Sequence, residues 1–136
     1  MNQSTDFFVR PIGVIESPLE NKLDAPKQGY EGAPEAWLVI NKEFAQGIEG
    51  ILHGQEILVL TWFHLAKRDV LKVHPRGDTR NPLKGVFATR SPDRPNPIGI
   101  HRVRVLEIVD GHKLRVNNLE ALNGTPIVDL KPVLKK

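Results

Sequence analysis

The stretch IHRVRVLEIVDGHKLRVNNLEALNGTPIVDL, residues 100–130, decides the fold class. Ile100–Val109 is a β-favouring apolar run, and Asp110-Gly111 follows it directly. An Asp-Gly pair between two apolar runs is a hairpin signal, because the tight turn that matches strand twist needs positive φ at its central positions. Asn123-Gly124 repeats that signal between Leu114–Leu122 and Pro126–Leu130. Asparagine there suits a left-handed turn position. Working outward, Glu56–Leu65 is the clearest strand, carrying Ile57, Leu58, Val59, Leu60, Trp62 and Phe63. Phe7–Glu16 reads as a strand interrupted by Pro11 and Gly13; Ala36–Asn41, Val70–Val73 and Gly85–Thr89 read as short strands. Residues 18–35 and 74–84 read as long loops, and Lys42–Leu52 as a short helix weakened by Gly47 and Gly50. Repeated short strands joined by tight turns argue for an all-β barrel or sandwich.

At 136 residues the chain has the size of one domain, and its length suffices to bury a core without staples. It has no cysteine, which removes thiol nucleophiles, disulfides and cysteine-ligated zinc. The five histidines show no H-x-H or H-E-x-x-H spacing, so no metal site is expected. The sequence contains no Walker pattern, no G-x-G-x-x-G after a strand and no G-x-S-x-G elbow. The start has neither a basic region nor an apolar leader, and an apolar run such as Ile57–Leu60 is far too short to span a membrane. A cytoplasmic, reducing compartment is the expectation. Net charge is +3 but unevenly spread. Residues 67–104 carry ten Lys/Arg against three Asp/Glu, whereas residues 1–66 carry four against nine. The basic block suits phosphate contacts; the plainer reading is a solvated face.

The segment GVFATRSPDRPNPIG, residues 85–99, holds the densest site material. Pro92, Pro95 and Pro97 each fix their own φ and push the preceding residue towards extended backbone. Arg90, Ser91, Asp93, Arg94 and Asn96 stand between and before them. Polar groups on a backbone with little freedom left suit a binding site, since ordering entropy is spent at folding. The alternative is a stiff surface loop with solvated arginines.

This segment resembles the signature of the TsaA-like (YaeB/TrmO-type) family of S-adenosylmethionine-dependent tRNA methyltransferases. FVRPIGVIESP, residues 8–18, is similar to that family's opening strand, and LEALNGTPIVDLKP, residues 119–132, to its closing segment. The resemblance covers about 8 to 134. It implies a mainly β fold, a small non-Rossmann β-barrel with short helical pieces, as a single domain over 1–136 without the C-terminal segment that many members carry. It implies S-adenosyl-L-methionine as cofactor, tRNA as partner and a homodimer whose interface helps form the cofactor site. The implied reaction is methyl transfer to the exocyclic nitrogen of threonylcarbamoyl-adenosine beside the anticodon.

Residue by residue, the resemblance points to Pro26, Lys27 and Gln28 in the first loop as cofactor contacts. Lys27 stands where the family shows arginine, keeping charge but losing the bidentate fork. His64 and Leu65 would lie against the adenosyl group; the plainer reading of His64 is a strand-end histidine bonded to backbone. Arg90 would pair with the cofactor carboxylate, or else serve a phosphate or a structural ion pair. Ile100 and Asn117 are implied as cofactor contacts, and Asn118, Leu119 and Glu120 would line the adenosine, with Glu120 accepting from ribose or base donors. Asn123 replaces the usual aspartate before Gly-Thr-Pro and reads as a turn residue. Arg76 and Arg80 are expected at phosphate or a threonyl carboxylate, Arg94 and Asn96 at the acceptor. Asp129 and Lys131 read as a structural closing pair. No residue announces itself as a general base; Asp93 is the carboxylate within the signature loop.

Overall fold

The computed structural model describes residues 5–19 and 34–134. Six strands close into a barrel: β1 (Gly13–Glu16), β2 (Ala36–Ile40), β3 (Glu56–Trp62), β6 (Ile98–Val109), β7 (Lys113–Val116) and β8 (Pro126–Pro132). Their spatial order is β1-β2-β7-β6-β3-β8, with β8 pairing back onto β1. Every pairing is antiparallel. A separate ribbon of β4 (Lys72–Val73) and β5 (Lys84–Gly85) projects from the long β3–β6 connection. Of the barrel-or-sandwich alternatives, closure selects the barrel, and closure leaves no edge strand among the six.

Alternation builds the core. In β3, Ile57, Val59 and Thr61 point inward; in β6, Gly99, His101, Val103 and Val105 do. Ile15, Leu38, Ile40, Leu114, Val116, Leu119 and Ile127 complete the interior, all at most 1% exposed. The Asp110-Gly111 hairpin forms as expected, with φ of 56° and 73° at its two residues. At the second turn Gly124 takes the positive φ, 87°. Asn123 does not; its Oδ1 instead accepts from the Ser17 amide at 3.1 Å. Asp129 and Lys131 do pair, at 3.4 Å.

Several expectations are corrected. Only Gly13–Glu16 of Phe7–Glu16 is strand; Phe7 and Phe8 are fully exposed. Lys42–Ile48 is a 3₁₀ helix, and Glu56–Trp62 ends three residues before Leu65. Gly85–Thr89 turns after its first residue, the end of β5, into a 3₁₀ turn at Val86–Ala88, where Thr89 Oγ1 bonds the Val86 carbonyl at 2.9 Å. A side chain that bonds nearby backbone offers the chain an alternative to a ladder, and β propensity yields to it here. The run Leu114–Leu122 leaves the sheet at Val116, because Asn118 adopts a left-handed φ of 53°. No helix among the described residues is long and apolar enough to cross a membrane.

Candidate functional site

The site forms where β3 ends and β6 begins. Thr61 stands opposite Gly99 in the ladder, and Val59 opposite His101. Thr61 and His101 are therefore diagonal inward neighbours, and Thr61 Oγ1 lies 2.9 Å from His101 Nε2. Gly99 makes the approach possible. A Cβ there would meet Phe63 Cζ and Thr61 Oγ1 at 2.5 Å, so the Phe63 ring folds over a position that only glycine can fill. Phe63 then stands edge-on to the imidazole, with centroids 5.9 Å apart and planes at 86°. Beside this cluster, β3 and β8 slip register between Leu60 and Thr61, so Val128 is the extra residue of a bulge.

The 86–97 loop is stapled to the segment after β3. Arg68 stacks on Trp62 at 5.0 Å, donates from Nε to the Pro95 carbonyl at 2.7 Å and from Nη2 to Asn96 Oδ1 at 3.1 Å. Asp93 Oδ1 accepts from the Lys67 amide at 2.9 Å, and the Arg94 amide donates to the Lys67 carbonyl. Arg94 Nη1 donates to the carbonyls of Thr89 and Ser91 at 3.1 and 3.0 Å. The Phe63 amide closes the join on the Pro97 carbonyl at 2.8 Å. Asp93 is thus a loop staple.

A cleft of about 60 Å³ lies between these parts, lined by Phe63, Arg90, Arg94, Ile98–His101 and Glu120. Of the residues singled out in the sequence, Arg90, Arg94, Ile100 and Glu120 converge on it. Glu120 arrives because Asn117 holds the chain beside β6, accepting from the Arg104 amide at 2.8 Å and donating its own amide to the Arg104 carbonyl. Arg90 also lines a larger neighbouring cleft of about 570 Å³ together with Arg76, Lys84 and Ser91. Asn96 faces a third cleft, against Trp62 and the extended 5–9 segment.

Other expected residues stand apart. His64 and Leu65 occupy the exposed turn just past Phe63 and do not line the cleft. Leu119 is wholly in the core, Asn117 is engaged with Arg104, and Asn118 is an exposed turn residue. Arg80 is held by Asp78 through contacts of 2.7 to 3.1 Å. Pro26, Lys27 and Gln28 lie outside the described residues. Part of the basic block is already neutralised, since Glu56 binds both Arg102, at 3.0 Å, and Arg104, at 3.8 Å.

Residue-level reading missed Phe63, Gly99 and His101. The last has the most distinctive environment in the molecule. It is 5% exposed, and its Nδ1 is a buried polar atom without a hydrogen-bond partner among the described residues. Burial, and secondarily the nearby Arg90 charge, push its pKa down to about 4, so the ring is neutral at pH 7. A signal was present: a histidine in phase with Val103 and Val105 on the inner face of a strand.

The family model described as the tRNA-methyltransferase O N-terminal domain matches residues 14–136. An S-adenosyl-L-methionine-binding protein of Archaeoglobus fulgidus is 44% identical over 124 residues, spanning 91% of this chain and 87% of its own. A probable S-adenosyl-L-methionine-binding protein of Methanothermobacter thermautotrophicus is also 44% identical, over 91% and 88%. The crystal structure of TrmO from P. aeruginosa superposes with a TM-score of 0.75 at 30% identity, covering 97% of this chain and 56% of that one. The chain thus spans little more than half the length of the TrmO structure it matches.

Proposed function

The chain belongs to the tRNA-methyltransferase O N-terminal domain family, and from that premise we propose that it binds S-adenosyl-L-methionine at the Arg90–His101–Glu120 cleft and transfers the methyl group to tRNA. The finer reading is methylation of the exocyclic nitrogen of threonylcarbamoyl-adenosine. One observation carries the placement of the cofactor: an arginine, a carboxylate and a buried histidine ring with one unpartnered nitrogen line one cleft beside a stapled, proline-rich loop. Those groups fit an α-amino-acid head with both of its charges.

The bound cofactor supplies an activated methyl group. The protein's own part is binding and orientation. Arg90 makes no hydrogen bond or ion pair with another described residue, so its guanidinium is available to a carboxylate. Glu120 offers an acceptor on the same cleft. Arg76, Lys84 and Arg90 give the adjoining 570 Å³ cleft a positive wall suited to phosphate or to a threonyl carboxylate. The loop from Arg90 to Pro97, held by Arg68 and Asp93, fixes the wall between the two clefts before any ligand arrives. The acceptor nitrogen is weakly nucleophilic, so its rate depends on in-line placement, and misplacement by about 1 Å costs on the order of 100-fold. A homodimer that completes the cofactor site belongs to the same proposal. Its support is the apolar surface around the β4–β5 ribbon, where Leu71, Leu83 and Phe87 are more than half exposed.

A second reading, a cofactor-binding module without turnover, is favoured by the relatives named for binding alone. Incubating the protein with labelled S-adenosylmethionine and bulk tRNA, then mapping labelled nucleosides, separates the two. Label in a methylated threonylcarbamoyl-adenosine is expected. Cofactor binding by calorimetry with no label in any nucleoside would establish the module instead.

A further inference from the structure

His101 lines the proposed cofactor cleft, but the functional reading leaves open which of its nitrogens carries the proton and what that proton meets. Its ring has two nitrogens and only one partner. Thr61 Oγ1, fully buried, has no hydrogen-bond partner besides His101 Nε2 among the described residues. Two arrangements are open. If Nε2 carries the proton, the threonine hydroxyl hydrogen and the Nδ1 lone pair are both left unpaired in the interior. If the hydroxyl donates to Nε2, only the Nδ1–H remains unpaired. The second arrangement orphans one group instead of two, and each orphaned buried group costs about 1–3 kcal/mol. Thr61 therefore holds the imidazole as the Nδ1–H tautomer.

That N–H belongs to a ring lining a cleft with Arg90 and Glu120. The cleft, at about 60 Å³, has room for a carboxylate beside His101 and Arg90. Arg94 also lines it, but that guanidinium is already committed to the Thr89 and Ser91 carbonyls. A carboxylate oxygen accepts both from a neutral imidazole N–H and from the Arg90 guanidinium, while Glu120 favours a cation on the same ligand.

We propose that His101 Nδ1–H is a ligand-binding donor, set by Thr61, that hydrogen-bonds the carboxylate of the cofactor's amino-acid head beside Arg90. This rests on the cofactor reading above and adds to it a specificity residue: His101 selects ligands that carry the amino-acid head over those that lack it.

The test pairs two ligands with two variants. S-adenosylhomocysteine carries the head; 5′-methylthioadenosine lacks it. His101→Gln places an amide near Nε2 and keeps a partner for Thr61, but offers nothing at Nδ1. His101→Asn places an amide hydrogen near Nδ1. By calorimetry, His101→Gln should bind S-adenosylhomocysteine about 10- to 100-fold more weakly, while 5′-methylthioadenosine binds it as it binds the native protein. His101→Asn should recover most of the loss. In the native protein, ¹⁵N NMR of the imidazole should report a protonated Nδ1 whose resonance moves with S-adenosylhomocysteine and not with 5′-methylthioadenosine. This measurement does not depend on a variant folding. An unprotonated Nδ1, or a His101→Gln penalty equal for both ligands, overturns the proposal and leaves the cofactor reading standing. Absence of S-adenosylhomocysteine binding to the native protein overturns both.

Discussion

Acidification should destabilise this barrel through one interior residue. His101 is 5% exposed, and burial, with Arg90 second, lowers its pKa from 6.5 to about 4. Unfolding restores the ordinary value, so between these two pH values the unfolded chain binds a proton that the folded protein refuses. A depressed histidine pKa therefore leaves stability intact above pH 6.5 and removes it as pH falls towards 4; below that no more is lost through this group. The gap corresponds to about 3 kcal/mol in full, with about 2 kcal/mol already gone at pH 5. That is a large share of a typical domain stability of about 5–15 kcal/mol. Urea unfolding at pH 7, 6 and 5, followed by the fluorescence of Trp37 and Trp62, measures it. His101→Gln is the control, since it keeps an amide for Thr61 and does not titrate. The other four histidines and the surface carboxylates are common to both proteins and cancel in the difference. The native protein should lose about 2 kcal/mol more than the variant between pH 7 and pH 5. Parallel pH profiles for the two would refute a neutral, desolvated His101.

Gly99→Ala puts a Cβ at 2.5 Å from Phe63 Cζ and Thr61 Oγ1. It should cost roughly 1–3 kcal/mol of stability and disorder the cleft, read as a lowered Tm together with lost cofactor binding. Arg90→Ala should weaken cofactor binding by about 1.5–3 kcal/mol with Tm unchanged; a fall in Tm would make Arg90 structural. Arg68→Ala removes the bonds to Pro95 and Asn96 and the stacking on Trp62. It should speed hydrogen exchange at the Phe63 amide, which donates to Pro97, more than at the β3 amides; equal protection would show that the prolines alone stiffen the loop. Light scattering should find a dimer, and a monomer with intact cofactor affinity would remove the interface from the site.

The sequence by itself determined the fold class. Asp110-Gly111 marked a turn between two strand runs, because both residues tolerate the positive φ that a tight hairpin turn demands. The absence of a phosphate-cradling glycine loop showed, in the same local way, that any cofactor binding would not use a Rossmann turn. The prolines also marked the loop around Arg90 and Arg94 as stiff, since proline restricts φ without help from any contact; Ile100 and Glu120, which line a cleft with those arginines, were pointed to by the family resemblance. Tertiary structure decided the rest. Gly85–Thr89 has strand-forming residues but turns, because the Thr89 hydroxyl bonds the Val86 carbonyl. Asn117 and Leu119 look like site residues in the chain, yet one is spent on Arg104 and the other on the core, and only the register of 117–120 against β6 reveals it. Strand phase with Val103 and Val105 marks His101 as inward-facing, but its protonation state has no local sign. Its tautomer follows from a threonine forty positions away and its depressed pKa from a closed barrel that keeps water out. Those are properties of a folded environment, and no window of sequence contains them.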